Sequence, residues 1–563
     1  MCGIFGYVGH RQQAANIVLE GLKLLEYRGY DSWGVAVKIK NEKLKIKNSF
    51  VLEKHVGKIG DAKVNLPQSS LGIGHTRWAT HGGVTVANAH PHMDCKKQIA
   101  VVHNGIVENF EELKEDLIKK GHKFISETDT EVIPHLVEEF LKKEGLASSV
   151  RDAFNELKGL SAVVVAYAVS KEIIAAKTGS PLVVGVGKNE LFVASDASAI
   201  VNHTKKVIFL EDNQMVILGD SLKLIKLPEG EEITPKFHIL DWKFEEALRG
   251  NYEHFFLKEI YEQPKILQSI ALNSLGQIEG LSKLIDKAFG TFLIACGSAS
   301  YAALAATYLF SSIAKKHVNF AVGSEFKYLE DFITDRTLLI PISQSGESID
   351  VIEPVTRAKE RGAKIAAIVN VLGSTLFREA DFKVLLNAGV EKAVVATKSF
   401  TAMVAVVIMT AYTLSGKEKE GKELIIDAAR NVSEILKENY VIEIKKVVNF
   451  LKDKDHVYII GRGLSYATAL EATLKFKESS YIHAEGFAGG ELKHGVIALI
   501  EKGTPCIVFA PKDETYDDIV SNAQEIKARG GFIIGIGPKN NKVFDRFLET
   551  EDVGDATIIP QVV

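Results

Sequence analysis

The second half of the chain contains one pattern twice, and this repetition restricts the possible folds more than any other feature. The segment FLIACGSASYAALAATYLF at 292–310 resembles VYIIGRGLSYATALEATLKF at 457–476. Each joins an apolar run, a turn of small residues and a stretch with helical spacing. Farther on, 342–368 and 508–536 carry similar helix endings, AKERGAKI and IKARGGFI. Strands that alternate with helices predict a parallel sheet covered on both faces. The duplication predicts two such α/β domains, the alternative being that any two α/β units look alike.

Residues 2–235 follow a different pattern, in which short β-rich runs outnumber helices. EELKEDLIKKG has helical spacing and ends at Gly121, a typical C-terminal stop signal. Many strands with few helices predict stacked sheets in an α+β architecture. The runs that we predict as strands include LGIGH (71–75), IAVVH (99–103), SAVVVAYAV (161–169) and LVVGVG (182–187).

The change between these two patterns suggests where the domains begin and end. The charged segment KLPEGEEITPKFHIL contains Pro228, Gly230 and Pro235 and predicts a linker. The charged run GKEKEGKE lies near the junction of the two repeats. We therefore expect an N-terminal domain over 2–235, a linker over 236–265, a first α/β domain over 266–425 and a second over 426–563.

The composition argues against several classes of function. A net charge of −4 and the lack of a dense basic run argue against a nucleic-acid partner. The start MCGIFGYVGH lacks the pattern of a signal peptide, and no apolar run is long enough to span a bilayer. The four cysteines, Cys2, Cys95, Cys296 and Cys506, are far apart and show no metal-binding spacing. We therefore expect a cytoplasmic protein without membrane attachment or a metal.

Cys2 is the first candidate for chemistry. Removal of Met1 would leave a cysteine whose thiol lies beside its own α-amine. Because that amine has an unperturbed pKa of about 8, a useful fraction is neutral and can serve as the base. The run GIFGYVG that follows predicts a strand that holds the terminus in place. On its own, however, a cysteine at the second position often has no function.

Six motifs change that assessment when they are taken together and in order. They are MCGIFGYVG, YRGYDS (27–32), HTRWATHG (75–82), NAHPH (88–92), VVHNGIVEN (101–109) and SETDTE (126–131). This set resembles the class II glutamine amidotransferases. The resemblance implies stacked sheets of the N-terminal nucleophile (Ntn) hydrolase type. It also implies that Cys2 attacks the side-chain amide of glutamine and releases ammonia.

The same resemblance implies roles for residues around Cys2. Attack on the amide creates an oxyanion, which needs hydrogen-bond donors, and the family uses the positions of Asn104 and Gly105. Taken alone, Asn-Gly is equally typical of a hairpin turn. Arg77 matches the residue that binds the glutamine carboxylate, and Asp129 matches the ligand of its ammonium group.

Other residues of these motifs are expected to complete the glutamine site. Arg28 matches a family residue near the nucleophile, in the glutamine-binding set. Trp78 resembles the gate between that site and a path for ammonia, although packing in the core would be an alternative role. We expect Thr80 and His81 to shape the pocket.

The second half predicts a phosphosugar site. ISQSGES (342–348) follows an apolar run and precedes a helix, so its hydroxyl and N–H groups can bind an anion. Ser343, Gln344, Ser345 and Ser348 resemble the phosphate-binding loop of sugar isomerase (SIS) domains, the alternative being a solvated serine-rich loop. The matching turn CGSAS adds either Ser298 or Ser300.

The second repeat resembles the isomerase half of one amidotransferase family. In 469–495, Glu471, Lys475 and Glu478 lie on one face of a helix, where an exposed salt bridge would be the simpler interpretation. The resemblance implies that Lys475 and Glu478 belong to the sugar site, with Glu478 moving a proton between C1 and C2. It also implies that His494 opens the sugar ring across a dimer interface.

Two shorter segments extend the match to the isomerase half. VVATKSFT (394–401) adds Val394 to the sugar-phosphate site, with Ala396 where the family has serine. YEQP (261–264) matches the segment that leads into the isomerase.

These similarities cover nearly the whole chain and point to the family of isomerising glutamine–fructose-6-phosphate aminotransferases. The resemblance implies that L-glutamine and D-fructose 6-phosphate are converted to L-glutamate and D-glucosamine 6-phosphate for hexosamine synthesis. It further implies a homodimer. Because nothing in this chemistry calls for a Lewis acid or an energy donor, we expect no cofactor, metal or nucleotide. Phosphoribosyl pyrophosphate amidotransferase and asparagine synthase also begin with MCGI. The acidic phosphoribosyl motif of the first and the ATP-binding loop of the second do not occur in this sequence.

The end of the sequence departs from that family. The chain printed here ends at IIPQVV, whereas the family continues into a tail that covers the sugar site and supplies a lysine that forms an imine with the sugar. A chain without this tail is expected to hydrolyse glutamine but to aminate the sugar poorly. The alternative function is a phosphosugar-binding regulator with an uncoupled glutaminase activity.

Overall fold

Two antiparallel sheets form the centre of the first part of the chain. The computed structural model describes residues 2–41, 46–240 and 249–563, which belong to two units, residues 1–248 and 249–563. Met1 and residues 241–248, and with them the expected removal of Met1 and part of the predicted linker, lie outside the described residues. Each unit is presented separately.

The first unit contains fifteen described strands and four described α-helices. The strands are β1 (Gly3–Gly9), β2 (Ser32–Asn41), β3 (Ile46–Val56), β4 (Leu71–Arg77), β5 (His92–Met93), β6 (Ile99–Gly105), β7 (Ser161–Tyr167), β8 (Ile173–Thr178), β9 (Val183–Gly187), β10 (Glu190–Ala194), β11 (Lys206–Phe209), β12 (Gln214–Leu218), β13 (Leu222–Lys226), β14 (Glu231–Ile233) and β15 (His238–Ile239). The helices are α1 (Ala14–Leu25), α2 (Phe110–Lys119), α3 (Val132–Leu141) and α4 (Leu146–Asn155).

The strands form an eight-stranded sheet, β15-β11-β9-β10-β1-β4-β2-β3, and a seven-stranded sheet, β14-β13-β12-β8-β7-β6-β5. The inner faces share one core, in which Ile4 and Ile73 of the first sheet meet Val102 and Val164 of the second. Helix α1 packs on the outer face of the first sheet, and α2 to α4 cover the second. Alternating apolar positions thus build four layers, which confirms the prediction of stacked α+β sheets.

The local predictions for this unit are confirmed with one correction. The runs at 71–75, 99–103, 161–169 and 182–187 form β4, β6, β7 and β9, and Gly121 follows α2 with a positive φ of +95°. The segment KLPEGEEITPKFHIL, predicted as a linker, instead adds the short strands β14 and β15 to the sheets. Each is an edge strand of two or three residues, too short to give a clear alternation in sequence.

The second unit alternates parallel strands with helices. Its strands are β16 (Gly290–Ala295), β17 (Asn319–Val322), β18 (Thr337–Ser343), β19 (Lys364–Val369), β20 (Phe382–Leu385), β21 (His456–Gly461), β22 (His483–Ala488), β23 (Pro505–Phe509), β24 (Phe532–Gly537) and β25 (Arg546–Glu549). Its helices are α5 (Phe255–Asn273), α6 (Leu275–Lys287), α7 (Ser298–Ser312), α8 (Ile349–Glu360), α9 (Thr375–Glu379), α10 (Lys398–Leu414), α11 (Glu418–Ile435), α12 (Glu438–Leu451), α13 (Leu464–Ser480), α14 (Tyr516–Ala528) and α15 (Ile558–Val562).

The ten strands form two parallel sheets with the same internal order. The sheets are β17-β16-β18-β19-β20 and β22-β21-β23-β24-β25. In both, the first strand along the chain lies between the second and the third, as expected for a duplicated domain. Loops after adjacent parallel strands lie at the same edge of a sheet, so the turns that follow β16 and β18 are neighbours. Of the helices described, none has the length and apolar character needed to cross a membrane.

Candidate active sites

Cys2 directly precedes β1, which lies between β4 and β10 inside the eight-stranded sheet. Ladder bonds on both sides therefore fix the chain next to the thiol, and Ile4 N–H donates a further hydrogen bond to Ser195 Oγ at 3.0 Å. The main-chain N–H of Trp78 donates to Cys2 Sγ at 3.2 Å. The sequence thus folds its second residue into a rigid position at the end of a central strand.

The surroundings of Cys2 control its ionisation. Burial raises the pKa of the thiol above its usual range, against the opposing effects of the Trp78 N–H and the positive charges of Arg77 and Arg28. The thiol is therefore mainly protonated near neutral pH, and its use as a nucleophile requires a base.

Arg28 contacts the main chain of Cys2. Its Nε–H donates to the carbonyl oxygen of Cys2 at 3.2 Å, and its Nη1 lies 3.4 Å from Asp196 Oδ2. Tyr27 O–H donates to the same carboxylate oxygen at 3.0 Å. Arg28 thus orients Cys2, and its membership in the glutamine-binding set remains a prediction.

Asn104 also meets Cys2. Its Nδ2 donates to the Cys2 carbonyl at 3.0 Å, and its Oδ1 lies 2.9 Å from Nε2 of His75. Because an amide oxygen only accepts, His75 Nε2 carries the hydrogen. Burial lowers the pKa of His75 to about 3, so this ring is neutral at ordinary pH. His75 therefore fixes the orientation of the Asn104 amide.

Gly105 has a backbone conformation that excludes other residues. Its φ is +131°, and a Cβ at this position would lie 2.1 Å from the carbonyl oxygen of Leu160. Both the torsion angle and the close approach therefore require glycine. Asn104 and Gly105 end β6, so the geometry of a strand end rather than an ordinary hairpin places them.

Arg77 is buried and held by a loop. Its Nη1 donates to Gly83 O at 3.1 Å, and its Nη2 donates to Gly82 O at 3.2 Å and to His81 O. These contacts fix the guanidinium at the end of β4, in a loop whose next residue is Trp78.

The remaining residues of the predicted glutamine site lie on the surrounding loops. Asp129 is buried, and its Oδ2 accepts a hydrogen bond from Val107 N–H at 2.8 Å, just after the Asn104–Gly105 turn. The Trp78 side chain is 42% exposed and meets Tyr30 edge-on, so it is not a core residue. The predicted pocket residues His81 and Thr80 are half-buried and exposed, respectively.

The serine-rich loop of the second unit joins β18 to α8. Ser343 Oγ accepts from Gly346 N–H at 3.0 Å, and Ser345 Oγ accepts from Glu347 N–H at 3.1 Å. Ser348 occupies the N-cap position of α8, but its hydroxyl makes no capping hydrogen bond. A helix N-terminus whose N-cap hydroxyl makes no capping hydrogen bond can bind an anion with that hydroxyl and with the main-chain N–H groups.

Two further observations describe this loop. Gly346 has a φ of +66°, and a Cβ there would lie 2.1 Å from Ser374 Oγ, so the turn requires glycine. Gln344 is half-buried, and its main-chain carbonyl accepts from Asn370 N–H at 3.2 Å. The loop is therefore tied to the end of β19 on its other side.

The structure distinguishes the two serines after β16. Ser300 Oγ donates to Gly297 O at 2.6 Å within its own turn and is buried. Ser298 Oγ instead accepts from Lys475 Nζ at 2.8 Å. Ser298 thus joins the turn after β16 to the helix of the second repeat, whereas the sequence left either Ser298 or Ser300 possible.

Lys475 lies at the centre of a charged cluster on α13. Its Nζ donates to Glu478 Oε2 at 2.9 Å and lies 3.2 Å from Glu471 Oε1. Glu471 is 1% exposed, and burial raises its pKa to about 7 against the effect of Lys475. Glu478 remains partly exposed. The interpretation as an ordinary exposed salt bridge is therefore wrong, because one carboxylate lies fully inside the protein.

A cavity of about 160 Å³ adjoins this cluster. Glu471 and Lys475 line it together with Ala396 and Thr397 of the 394–401 segment. Val394 lies outside this lining and is 56% exposed. His494 is exposed at the end of the 3₁₀ turn Gly489–His494. Among the described residues it makes no hydrogen bond or ion pair with the Lys475 cluster.

Sequence motifs identified the ends of the strands but missed two positioning residues. His75 begins the HTRWATHG motif and lies two residues before Arg77 on β4. This spacing places both side chains on one face of the strand and could have identified His75 as a residue near the site. Glu391 was not singled out, although its carboxylate accepts from Thr397 N–H at 3.0 Å and Ser399 N–H at 3.1 Å. It therefore shapes the segment that lines the cavity.

Comparison with known proteins matches both halves of the chain. The family model described as a glutamine amidotransferase domain matches residues 75–202. The family model described as a SIS domain matches residues 284–412 and 450–547. These matches fall on the antiparallel unit and on the two parallel sheets, respectively.

Several curated relatives match over almost their whole length. A glutamine–fructose-6-phosphate aminotransferase [isomerizing] of Thermococcus kodakarensis is 41% identical over 99% of this chain and 94% of its own. The protein of the same name from Thermus thermophilus is 40% identical over 100% of this chain and 93% of its own. Among solved structures, the C-terminal domain of glucosamine-fructose-6-phosphate aminotransferase from Francisella tularensis is 33% identical. It superimposes with a TM-score of 0.52 over 56% of this chain and 95% of that chain.

Proposed function

Because the chain belongs to the family of isomerizing glutamine–fructose-6-phosphate aminotransferases, we propose that it carries out this reaction. L-Glutamine and D-fructose 6-phosphate would give L-glutamate and D-glucosamine 6-phosphate. One observation carries the proposal: a half-buried cysteine with an amide donor, directly before a central strand of one unit, accompanies in the other unit a lysine–carboxylate cluster bonded to Ser298. This combination serves nitrogen release and sugar isomerisation together.

Glutamine hydrolysis is assigned to the first unit. Cys2 Sγ attacks the amide carbon, its proton passes to the α-amine, and the amide leaves as ammonia; water then hydrolyses the thioester to glutamate. The amide nitrogen of Asn104 has two hydrogens. One holds the Cys2 carbonyl, and the other, with Gly105 N–H, would stabilise the oxyanion. Arg77 and Asp129 would bind the carboxylate and the ammonium group of the substrate.

Sugar amination is assigned to the second unit. The phosphate would bind at Ser343, Gln344, Ser345 and Ser348, where Ser348 at the start of α8 adds a free hydroxyl. Ammonia condenses with the C2 carbonyl of the open-chain ketose and releases water. A base then takes a proton from C1 and returns it to C2, which yields the 2-amino aldose.

The proton carrier proposed for that step is Glu478. Its Oε2 lies 2.9 Å from Lys475 Nζ, and the side chain remains partly exposed to a ligand. Ser298 would orient Lys475 from the neighbouring turn. The chain would act as a homodimer in which His494, exposed on its own protomer, opens the sugar ring in the partner's site.

The test compares two products in one preparation of the full chain. Glutamate and glucosamine 6-phosphate are measured after incubation with both substrates, and equal amounts support the proposal. The Cys2→Ala variant should form no glutamate yet bind fructose 6-phosphate as tightly as the unchanged protein in calorimetry. Cys506→Ala, which removes a thiol from the core around β23, is the matched control and should keep both activities.

Two results would contradict the proposal. Glutamate released by Cys2→Ala at the normal rate would exclude Cys2 as the nucleophile. Glutamate formed without amino sugar, together with intact phosphosugar binding, would favour the alternative of a regulator with an uncoupled glutaminase.

A further inference from the structure

Four side chains from three separate segments meet at one point of the first unit. Cys95 follows β5, His122 follows α2, and His135 and Glu138 lie one turn apart on α3. One sulfur, one nitrogen from each ring and one carboxylate oxygen all lie within 4.8 Å of one another. These four residues are called the α3 cluster below. None of them contacts Cys2 or has a role in the glutamine site described above.

The distances within the α3 cluster fit a tetrahedral metal site. Cys95 Sγ lies 3.8 Å from His122 Nδ1 and 3.7 Å from His135 Nδ1, and the two Nδ1 atoms are 3.2 Å apart. Glu138 Oε2 lies 3.2 Å from His122 Nδ1 and 3.7 Å from His135 Nδ1. Around tetrahedral zinc, with bonds of about 2.0–2.3 Å, such ligand atoms are separated by about 3.3–3.6 Å. Five of the six separations are thus within a few tenths of an ångström of that arrangement, and the sixth, between Cys95 Sγ and the Glu138 oxygen, is within 4.8 Å.

The outer sides of the two rings support the same interpretation. Nε2 of His122 lies 2.6 Å from Glu139 Oε1, and Nε2 of His135 faces Glu131 Oε1 at 4.0 Å. A carboxylate on the Nε2 side favours the hydrogen there, as in many metal-binding histidines. Both Nδ1 lone pairs then point at the centre, together with the Glu138 oxygen. The two ring nitrogens and the Glu138 oxygen, which also accepts from Cys95 N–H at 3.4 Å, are then close enough to bind one cation together.

We propose that the α3 cluster binds one Zn²⁺ ion as a structural site. Two imidazole nitrogens, one thiolate and one carboxylate form a four-ligand set typical of zinc, whereas Mg²⁺ and Ca²⁺ prefer oxygen ligands alone. The thiolate has an N–H donor in Lys123, whose nitrogen lies 3.5 Å from Cys95 Sγ, and Cys95 is exposed enough for an ion to enter. This proposal replaces the expectation of a chain without a metal, which rested on the cysteine spacing and on a reaction that calls for no Lewis acid.

The position of the site indicates what the ion would do. Helix α3 continues directly from the turn Asp129–Glu131, and Glu131 Oε2 accepts from Ser126 N–H at 2.7 Å. Zinc would tie this helix to the loops at 95 and 122 and thereby hold the turn that carries Asp129. Loss of zinc should destabilise the first unit. It should also raise the KM for glutamine more than it lowers kcat, an effect that rests on the proposed role of Asp129.

Metal content tests the proposal without reference to activity. The full chain, produced with added zinc and purified without chelator or histidine tag, is analysed by elemental mass spectrometry. We expect one zinc per chain, and a content far below stoichiometric in Cys95→Ala and in Glu138→Gln. The matched control Cys506→Ala should keep its zinc. Equal zinc in all four proteins, or none in the unchanged chain, would overturn the proposal.

Cobalt substitution locates the ion. After zinc is removed by a chelator, Co²⁺ added to the unchanged chain should give the visible absorption of a tetrahedral complex and a thiolate charge-transfer band. The charge-transfer band should be lost in Cys95→Ala and kept in Cys2→Ala, the control for the catalytic thiol. Absence of a tetrahedral Co²⁺ spectrum would mean that His122 only pairs with Glu138 and Glu139, and the zinc proposal would be wrong. These spectra are independent of whether glutamine is the substrate.

Discussion

Replacement of Glu471 by glutamine should change how the second unit responds to pH. In the folded chain this carboxyl is 1% exposed, and burial raises its pKa to about 7 although Lys475 lies 3.2 Å away. In the unfolded chain it titrates at its ordinary value, 4.5. Between these values the folded state holds a proton that the unfolded state has released. The stability that this proton provides is therefore present at low pH and lost as pH rises towards 7.

The size of the effect follows from the two pKa values. Integration of the proton difference gives a loss of unfolding free energy of about 2.5 kcal/mol between pH 5 and pH 8. Glutamine does not titrate, so Glu471→Gln should lack this loss. Between pH 5 and pH 8, the unfolding free energy of the variant should therefore rise by about 2.5 kcal/mol relative to that of the unchanged chain. This corresponds to about 5 °C in the melting temperature.

The assay needs a signal from the second unit. Trp33 and Trp78 belong to the first unit, so the fluorescence of these two tryptophans serves as an internal control; Trp242 lies outside the described residues. Calorimetry records both units, and the transition without a fluorescence change is the one to follow at pH 5 and pH 8. Glu443→Gln, on the exposed side of α12, is the matched variant and should follow the unchanged chain. If the melting temperature changes equally between pH 5 and pH 8 in the unchanged chain and in Glu471→Gln, the reasoning is refuted.

Three further outcomes are expected. Asn104→Ala should lower kcat for glutamine hydrolysis by about 10²–10³-fold, as for other oxyanion donors; a change below tenfold in the hydrolysis assay would contradict its role. Gly105→Ala should abolish hydrolysis, because its Cβ would lie 2.1 Å from Leu160 O; an active variant with an unchanged circular dichroism spectrum would disprove this. Ser348→Ala should weaken fructose 6-phosphate but not fructose binding in calorimetry, and equal weakening of both would exclude a phosphate contact.

The features that depend on short sequence segments, such as the central strands and their ends, were predicted from the sequence. Glycine turns after apolar runs marked the ends of β6, β16 and β18, and so placed Asn104 and the serine loop correctly. Short, continuous β-rich runs identified the central strands, because both faces of those strands are covered. The edge strands β14 and β15 were missed because they are too short and too polar for such a pattern.

Contacts between segments that are distant in the sequence could not be predicted from sequence patterns. Ser298 and Ser300 are both near the start of one helix, and only the approach of Lys475 from 177 residues away distinguishes them. The α3 cluster draws its ligands from positions 95, 122 and 135–138, which show no compact spacing. Glu471 has the helical spacing of an exposed ion pair, and its burial depends on packing that the spacing does not contain.

The repeated strand order of the parallel sheets has a consequence for ligand stoichiometry. Each sheet has a loop after its third strand, and in the first copy this loop is the serine-rich turn. In the second copy the corresponding loop carries Asp513, whose Oδ1 accepts from Thr515 N–H at 2.8 Å and from its hydroxyl at 2.6 Å. In the second copy, the Asp513 carboxylate thus accepts the hydrogen bonds of its own turn, where the first copy has the serine-rich loop. Although the two domains share one fold, each chain should therefore bind one sugar phosphate, in the first domain. The second domain would contribute side chains to the site instead of a second phosphate-binding loop.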